Sequence, residues 1–342
     1  MSEPKLRGVF TPNMVPLDRA GDINEGELRR YVDWLVVKGV SGLYPNGSTG
    51  EFTRFSPEER KRIIEIVADE GHGRVPILAG AAEANLRDTL AACEVYARLG
   101  CSAAAICGPY YYKLSQESVT EYFAELARHS PLDIVLYNIP QFANEISIDA
   151  VVRLADFPRI IGIKDSSRDL SRFLHMMNRV RPHRPDFAFL IGCEEIFMPA
   201  LVMGAHGGTI ATSGVVPEVV MKLYHSALAG NLDEARRIQF KLLELIDLLI
   251  FGVSFPEGVR AALGVRGFAM GQTRQPLSPK EQCDVGAVRQ TLHCILSEHG
   301  FVADVGAGPG ACGPPFPADG DGLSEERVAR IVAEVVRRIR EA

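Results

Sequence analysis

Short apolar runs rich in β-branched residues alternate with amphipathic stretches along the first two-thirds of the chain, and this alternation predicts repeated βα units around a parallel sheet. Eight runs stand out, at residues 8–13, 42–46, 75–80, 103–107, 133–137, 160–164, 188–192 and 207–211. Helical periodicity fills the gaps. In 25–38, Leu28, Val32, Leu35 and Val36 share one face, and 57–70 opens behind the capping residue Ser56. Eight units over about 225 residues match a closed (β/α)8 barrel, a TIM barrel, in size. A doubly wound open sheet is the rival, but no Gly-rich dinucleotide fingerprint follows the first run. We assign residues 1–228 to the barrel.

Beyond residue 228 the strand-like runs stop. Helical patterns at 233–251 and 278–298 predict a helical C-terminal subdomain over 229–302. Residues 303–323 are rich in Gly and Pro and bring together too little apolar surface to order themselves, so they are expected to form a flexible linker. In 324–342, Val328, Ile331, Val332, Val335 and Ile339 form one apolar stripe behind the cap Ser324, which predicts a short amphipathic helix. That arrangement resembles the encapsulation peptides that carry cargo enzymes into bacterial microcompartments. It implies docking to a shell or scaffold protein, with packing back onto its own assembly as the alternative.

Composition narrows the partners. With 342 residues, 46% of them hydrophobic, the chain can bury a sizeable core. A net charge of −6 without a long Lys/Arg run gives no footprint for nucleic acid or an anionic membrane, leaving a small molecule as the expected ligand. The seven cysteines are scattered, form no C-x-x-C pair and do not cluster with histidines, so reduced thiols and no metal are expected. The N-terminal residues lack a signal pattern, and no apolar run nears the roughly 18 residues that span a bilayer, which points to the cytoplasm.

Barrel enzymes place their chemistry at the C-terminal ends of the strands. Lys164 closes the run Ile160-Ile161-Gly162-Ile163, whereas the other seven of the eight lysines lie at the terminus or in helical and loop positions. Desolvation there would lower its pKa from about 10.4 and free the amine to attack a carbonyl. The competing reading is a lysine that snorkels outward to pair with Asp165. After the second strand, Gly47-Ser48-Thr49-Gly50-Glu51 offers hydroxyls and close-packed amides that can clamp a carboxylate. Tyr110, Tyr111 and Tyr112 follow the fourth strand and Tyr137 ends the fifth. Tyrosines beside a cationic imine can relay protons, although such a cluster can equally be core or interface.

In order and spacing, GSTGE at 47–51, PYY at 109–111, YNIP at 137–140, GIKDSS at 162–167 and GAHGG at 204–208 resemble the family of N-acetylneuraminate lyase and dihydrodipicolinate synthase. These are class I aldolases that use pyruvate, and the likeness covers about residues 5–300. The resemblance implies that Lys164 is the Schiff-base lysine and Tyr137 the proton-transfer residue. It makes Ser48 and Thr49 the carboxylate clamp, with Gly50 beside them in the substrate-binding set, and Tyr111 a residue inserted into a neighbouring subunit's site. It further implies a homotetramer and a lyase needing no metal or organic cofactor, since the imine is the electron sink.

Departures from the family pattern bear on the substrate. Where the synthases carry an arginine for a second carboxylate, two residues after the proline of YN-x-P, this chain has Phe142, which has no donor pair. Ala143-Asn144-Glu145 also lacks the small Thr/Ser-Gly pair. Glu194 and Glu195, after the seventh strand, match the acidic pair with which sugar-acid lyases hold substrate hydroxyls, or else simply favour a helix N-terminus. Thr209, just past GAHGG, joins the substrate-binding set. The expectation is reversible cleavage of a 2-oxo-3-deoxy sugar acid, or a similar 4-hydroxy-2-oxo acid, to pyruvate and an aldehyde. 4-Hydroxy-tetrahydrodipicolinate synthesis, sugar-acid dehydration and a non-catalytic ligand-binding barrel stay open as alternatives.

Overall fold

The computed structural model describes residues 3–71, 73–301 and 312. Eight parallel strands are present: β1 Gly8–Pro12, β2 Gly42–Tyr44, β3 Leu78–Gly80, β4 Ala103–Cys107, β5 Ile134–Asn138, β6 Ile160–Asp165, β7 Ala188–Ile191 and β8 Gly207–Gly208. They are ordered β2-β1-β8-β7-β6-β5-β4-β3, and a parallel bridge from Leu43 to Ile77 joins the two ends. The TIM barrel expected from the alternation is therefore borne out. The third and eighth strands are shorter than their apolar runs, because in 75–77 only Ile77 makes a bridge, and beyond Gly208 residues 209–210 leave the ladder before a short turn, Ala211–Gly214.

Eight helices cover the barrel: α1 Glu25–Val37, α2 Pro57–Gly71, α3 Leu86–Arg98, α4 Gln116–His129, α5 Ile148–Leu154, α6 Leu170–Val180, α7 Phe197–Val202 and α8 Pro217–Leu228. The starts of the first six are fixed by side-chain caps. Asn24, Asn85, Ser115, Ser147 and Asp169 each accept from a first-turn N–H, and Ser56 forms a reciprocal pair with Glu59 ahead of α2. One apolar layer lies between these helices and the sheet, and another fills the barrel with Phe10, Tyr44, Leu78, Ala105, Val135, Ile161 and Leu190. Gly42 makes room for the Phe10 ring, since a Cβ there would lie 2.5 Å from it.

The pairing of β5 with β6 contains an irregularity that decides which way the strand end faces. Ile134 pairs with Ile160, but Val135 pairs with Gly162, so Ile161 is an extra residue in β6. Side chains alternate across a strand, and one inserted residue reverses every position after it. Without the bulge, Ile160 facing the helices would place Lys164 on the same outer face. With it, Ile163 joins Leu136 in the outer layer and Lys164 pairs with Tyr137 facing inward.

Three further helices follow, α9 Leu232–Ile246, α10 Glu257–Val265 and α11 Val285–Glu298. The helical pattern at 233–251 ends in a wide π-type turn, Asp247–Phe251. That at 278–298 is divided between a short turn, Pro279–Glu281, and α11. The expectation that all thiols are reduced is corrected at one place: Cys294 on α11 is disulfide-bonded to Cys312, their Cα atoms 5.4 Å apart. Because 18 residues separate the two in sequence, no spacing signature announced the pair. Apart from Cys312, the linker expected at 303–323 and the terminal helix expected at 324–342 lie outside the described residues. Among the described residues no helix is long and apolar enough to cross a membrane.

Candidate active site

At the C-terminal end of β6, Lys164 is only 4% exposed and its amine lies over two aromatic faces, 3.8 Å from the Tyr137 ring centre and 4.5 Å from that of Tyr44. Burial lowers its pKa from 10.5 to about 7; Cys193, Glu194 and Cys107 pull weakly the other way. The outward pairing with Asp165 does not form. Asp165 is held instead by Arg172, by Asn138 Nδ2 at 3.0 Å and by Ser167 Oγ at 2.5 Å. No ion pair involving Lys164 occurs among the described residues. With its pKa lowered to about 7, a substantial fraction of the amine is unprotonated near neutral pH, and a free amine facing a cavity can add to a carbonyl.

The second strand's loop supplies the opposite wall. Ser48 Oγ and Tyr137 Oη are 3.2 Å apart, and burial raises the Tyr137 phenol well above its usual range, keeping it a neutral proton donor. Thr49 and Gly50 are buried next to Ser48. A Cβ on Gly50 would come within 2.7 Å of the Asn13 carbonyl oxygen, so only glycine lets this turn sit so close to β1. Gly192 has a comparable role below the lysine, where a Cβ would lie 2.9 Å from Lys164 Cε.

The cavity between these walls holds about 250 Å³ and reaches from Lys164, Ser48, Thr49 and Tyr137 to Glu194, Glu195 and Thr209. Glu194 is buried, its carboxyl pushed up to about 7 by desolvation although it accepts from the Thr212 N–H at 2.9 Å. Thr209 Oγ1 is buried with no hydrogen-bond partner among the described residues. Glu195 pairs with Arg168, Nε to Oε1 at 2.9 Å. Of the expected residues, Gly50 adjoins Thr49 without lining the cavity, and Tyr111 is not brought here: it is 90% exposed and its ring packs edge-on against Tyr112.

Several lining groups escaped the sequence reading. Gln141 and Arg168 sit on loops without a marked motif, and Ile250 and Phe251 come from the π-type turn, within a stretch that read as plain helix. Only Phe142, already singled out for its missing guanidinium, was in view at this rim.

The match to known proteins runs over nearly the whole barrel and beyond. The model of the dihydrodipicolinate synthetase family matches residues 5–295. The chain belongs to the dihydrodipicolinate synthetase family. A 4-hydroxy-tetrahydrodipicolinate synthase of Thermus thermophilus is 37% identical over 277 residues, 80% of this chain and 91% of that protein. An N-acetylneuraminate lyase of Rhizobium meliloti is 30% identical over 293 residues, 86% and 96% of the two chains. Among solved structures, a dihydrodipicolinate synthase from Acinetobacter baumannii, complexed with pyruvate, superposes with a TM-score of 0.79 at 27% identity, covering 87% of this chain and all of the other. This family member is thus a lyase of the class I aldolase kind.

The depressed lysine makes a direct prediction. Protonation blocks attack, so labelling of Lys164 by a neutral amine-selective acylating reagent, followed by peptide mapping, should rise with pH to about 7 and then level off. An ordinary surface lysine would keep gaining until about pH 10. Glu194→Gln removes a group that favours the ammonium and should move the Lys164 midpoint to lower pH.

Proposed function

We propose that the protein reversibly cleaves a 4-hydroxy-2-oxo acid of the 2-oxo-3-deoxy sugar-acid type to pyruvate and an aldehyde, with Lys164 as the imine-forming residue. The observation that carries this is the buried, inward-facing Lys164 amine, free near neutral pH and stacked over the ring of a tyrosine that is itself hydrogen-bonded to Ser48. Lys164 Nζ adds to C2 of the oxo acid, and the carbinolamine loses water to give the imine. The 4-hydroxyl then gives up its proton as the C3–C4 bond breaks, its electron pair passing to the imine to form an enamine and releasing the aldehyde. Protonation at C3 and hydrolysis return pyruvate and the amine.

Tyr137 is placed to carry the proton between the 4-hydroxyl and the reacting centre, and Ser48, Thr49 and Gly50 to hold the C1 carboxylate. The cation formed at the imine nitrogen would be balanced by the faces of Tyr44 and Tyr137 and by nearby Glu194. We assign Tyr111 to the site of a second copy in a homotetramer, since it is exposed and does not line its own chain's cavity. A 4-hydroxy-tetrahydrodipicolinate synthase activity is the second reading, favoured by the 37% identical Thermus relative. Against it, Phe142 offers no carboxylate donor, and Arg168 is already engaged by Glu195.

Pyruvate released from 2-oxo-3-deoxygluconate or its epimer, followed through lactate dehydrogenase, tests the reading. Tyr137→Phe should lower kcat by about 10²- to 10³-fold, and Lys164→Ala should abolish turnover. No pyruvate from any 4-hydroxy-2-oxo acid would contradict it. For 324–342 we retain docking to a shell or scaffold protein as part of the proposal. Truncation after residue 302 should leave pyruvate release intact while ending co-sedimentation with shell proteins, and loss of activity on truncation would overturn the docking role.

A further inference from the structure

Two charged side chains face each other across the outer half of the cavity, and neither belongs to the imine chemistry. Arg168 Nε donates to Glu195 Oε1 at 2.9 Å, and its guanidinium lies 4.9 Å from the Phe251 ring centre. The backbone at Arg168 is left-handed, with φ at +64°. A non-glycine residue in that region costs about 1 kcal/mol and persists where its surroundings or its use hold it there. The loop therefore keeps an arginine where glycine would be unstrained, and the arginine's side chain lines the substrate cavity.

The cavity is lined by two basic side chains, Lys164 and Arg168, and two acidic ones, Glu194 and Glu195, and Lys164 is cationic there once the imine has formed. A 2-oxo acid brings its own C1 carboxylate, which the cationic imine nitrogen offsets. A second carboxylate, on the aldehyde half of the substrate, would reach Arg168 only beside Glu195, whose charge already occupies that guanidinium and repels another anion. A neutral hydroxyl suffers no such repulsion. It can donate to a Glu195 oxygen and accept from a terminal N–H of Arg168, using both members of the pair at once.

We propose that the Arg168–Glu195 pair is a charge filter that selects neutral, hydroxylated aldehydes over anionic ones. Glu195 does so by pre-empting a guanidinium that would otherwise bind a carboxylate. This rests on the aldol reading above and names its substrate class. It also makes a specific reversal available: removing the Glu195 charge turns Arg168 into a free carboxylate clamp in the cavity that Phe142 also lines.

The test is condensation of pyruvate with glyceraldehyde or with glyoxylate. In each, C3 of the enamine bonds to the aldehyde carbon and the carbonyl oxygen takes a proton to become the 4-hydroxyl. The native protein should prefer glyceraldehyde. In Glu195→Gln the ratio of kcat/KM should move toward glyoxylate by about tenfold or more. Arg168→Gln should lose the interaction with glyceraldehyde without gaining glyoxylate, and Glu195→Gln combined with Arg168→Gln should erase the glyoxylate gain. A ratio in Glu195→Gln within about twofold of native, with the pyruvate imine still trapped by borohydride, would overturn the filter. Absence of condensation with both aldehydes by the native protein, the imine still forming, would instead overturn the aldol reading and the filter with it.

Discussion

Removing one amine from water is the constraint around which this barrel is arranged. A lysine buried to 4% exposure cannot keep its proton at ordinary cost, and its pKa falls to about 7. The surroundings make that burial tolerable for both protonation states. Two aromatic faces accept the cation when it forms, a carboxyl shifted to about 7 stands nearby, and among the described residues no carboxylate forms an ion pair that would lock the ammonium in place. Asp165, the adjacent residue, is the group that could have done so. Arg172, Asn138 and Ser167 hold it on the other side of the strand, leaving the amine without an ion pair among the described residues.

The backbone delivers that amine through a single inserted residue. Because Ile161 is extra in the β5–β6 pairing, the side chains beyond it exchange faces, and Lys164 enters the barrel mouth beside Tyr137 instead of the helix layer. Gly192 on the neighbouring strand end then leaves space for the lysine stem. Strand register, bulge and glycine act on one atom, and the Ser48–Tyr137 contact closes the opposite side. The outer half of the cavity is built differently, from loops and the π-type turn, and carries the balanced Arg168–Glu195 pair.

Much of this was readable along the chain. Eight apolar runs with helical spacers led to the barrel, and strand-end position alone nominated Lys164, Tyr137 and the Gly-Ser-Thr-Gly loop. The bulge was not readable, since the run Ile160-Ile161-Gly162-Ile163 is apolar on both faces and shows no alternation to break. Arg168 escaped because a left-handed backbone at a non-glycine residue leaves no trace in composition. Ile250 and Phe251 escaped because their helical periodicity continues through the wider turn. Pairing of Cys294 with Cys312 depends on where residue 312 returns in space, which scattered cysteines do not disclose. Local pattern thus carried the fold and the inner site, whereas long-range geometry set the outer site.

The central claim concerns one covalent bond, and the most direct measurement is borohydride reduction of the protein with pyruvate, followed by intact mass and peptide mapping. The account predicts a single reduced pyruvyl adduct on the peptide bearing Lys164, absent from Lys164→Ala. An unmodified protein, under conditions that label another class I aldolase, or an adduct on a different lysine would contradict it.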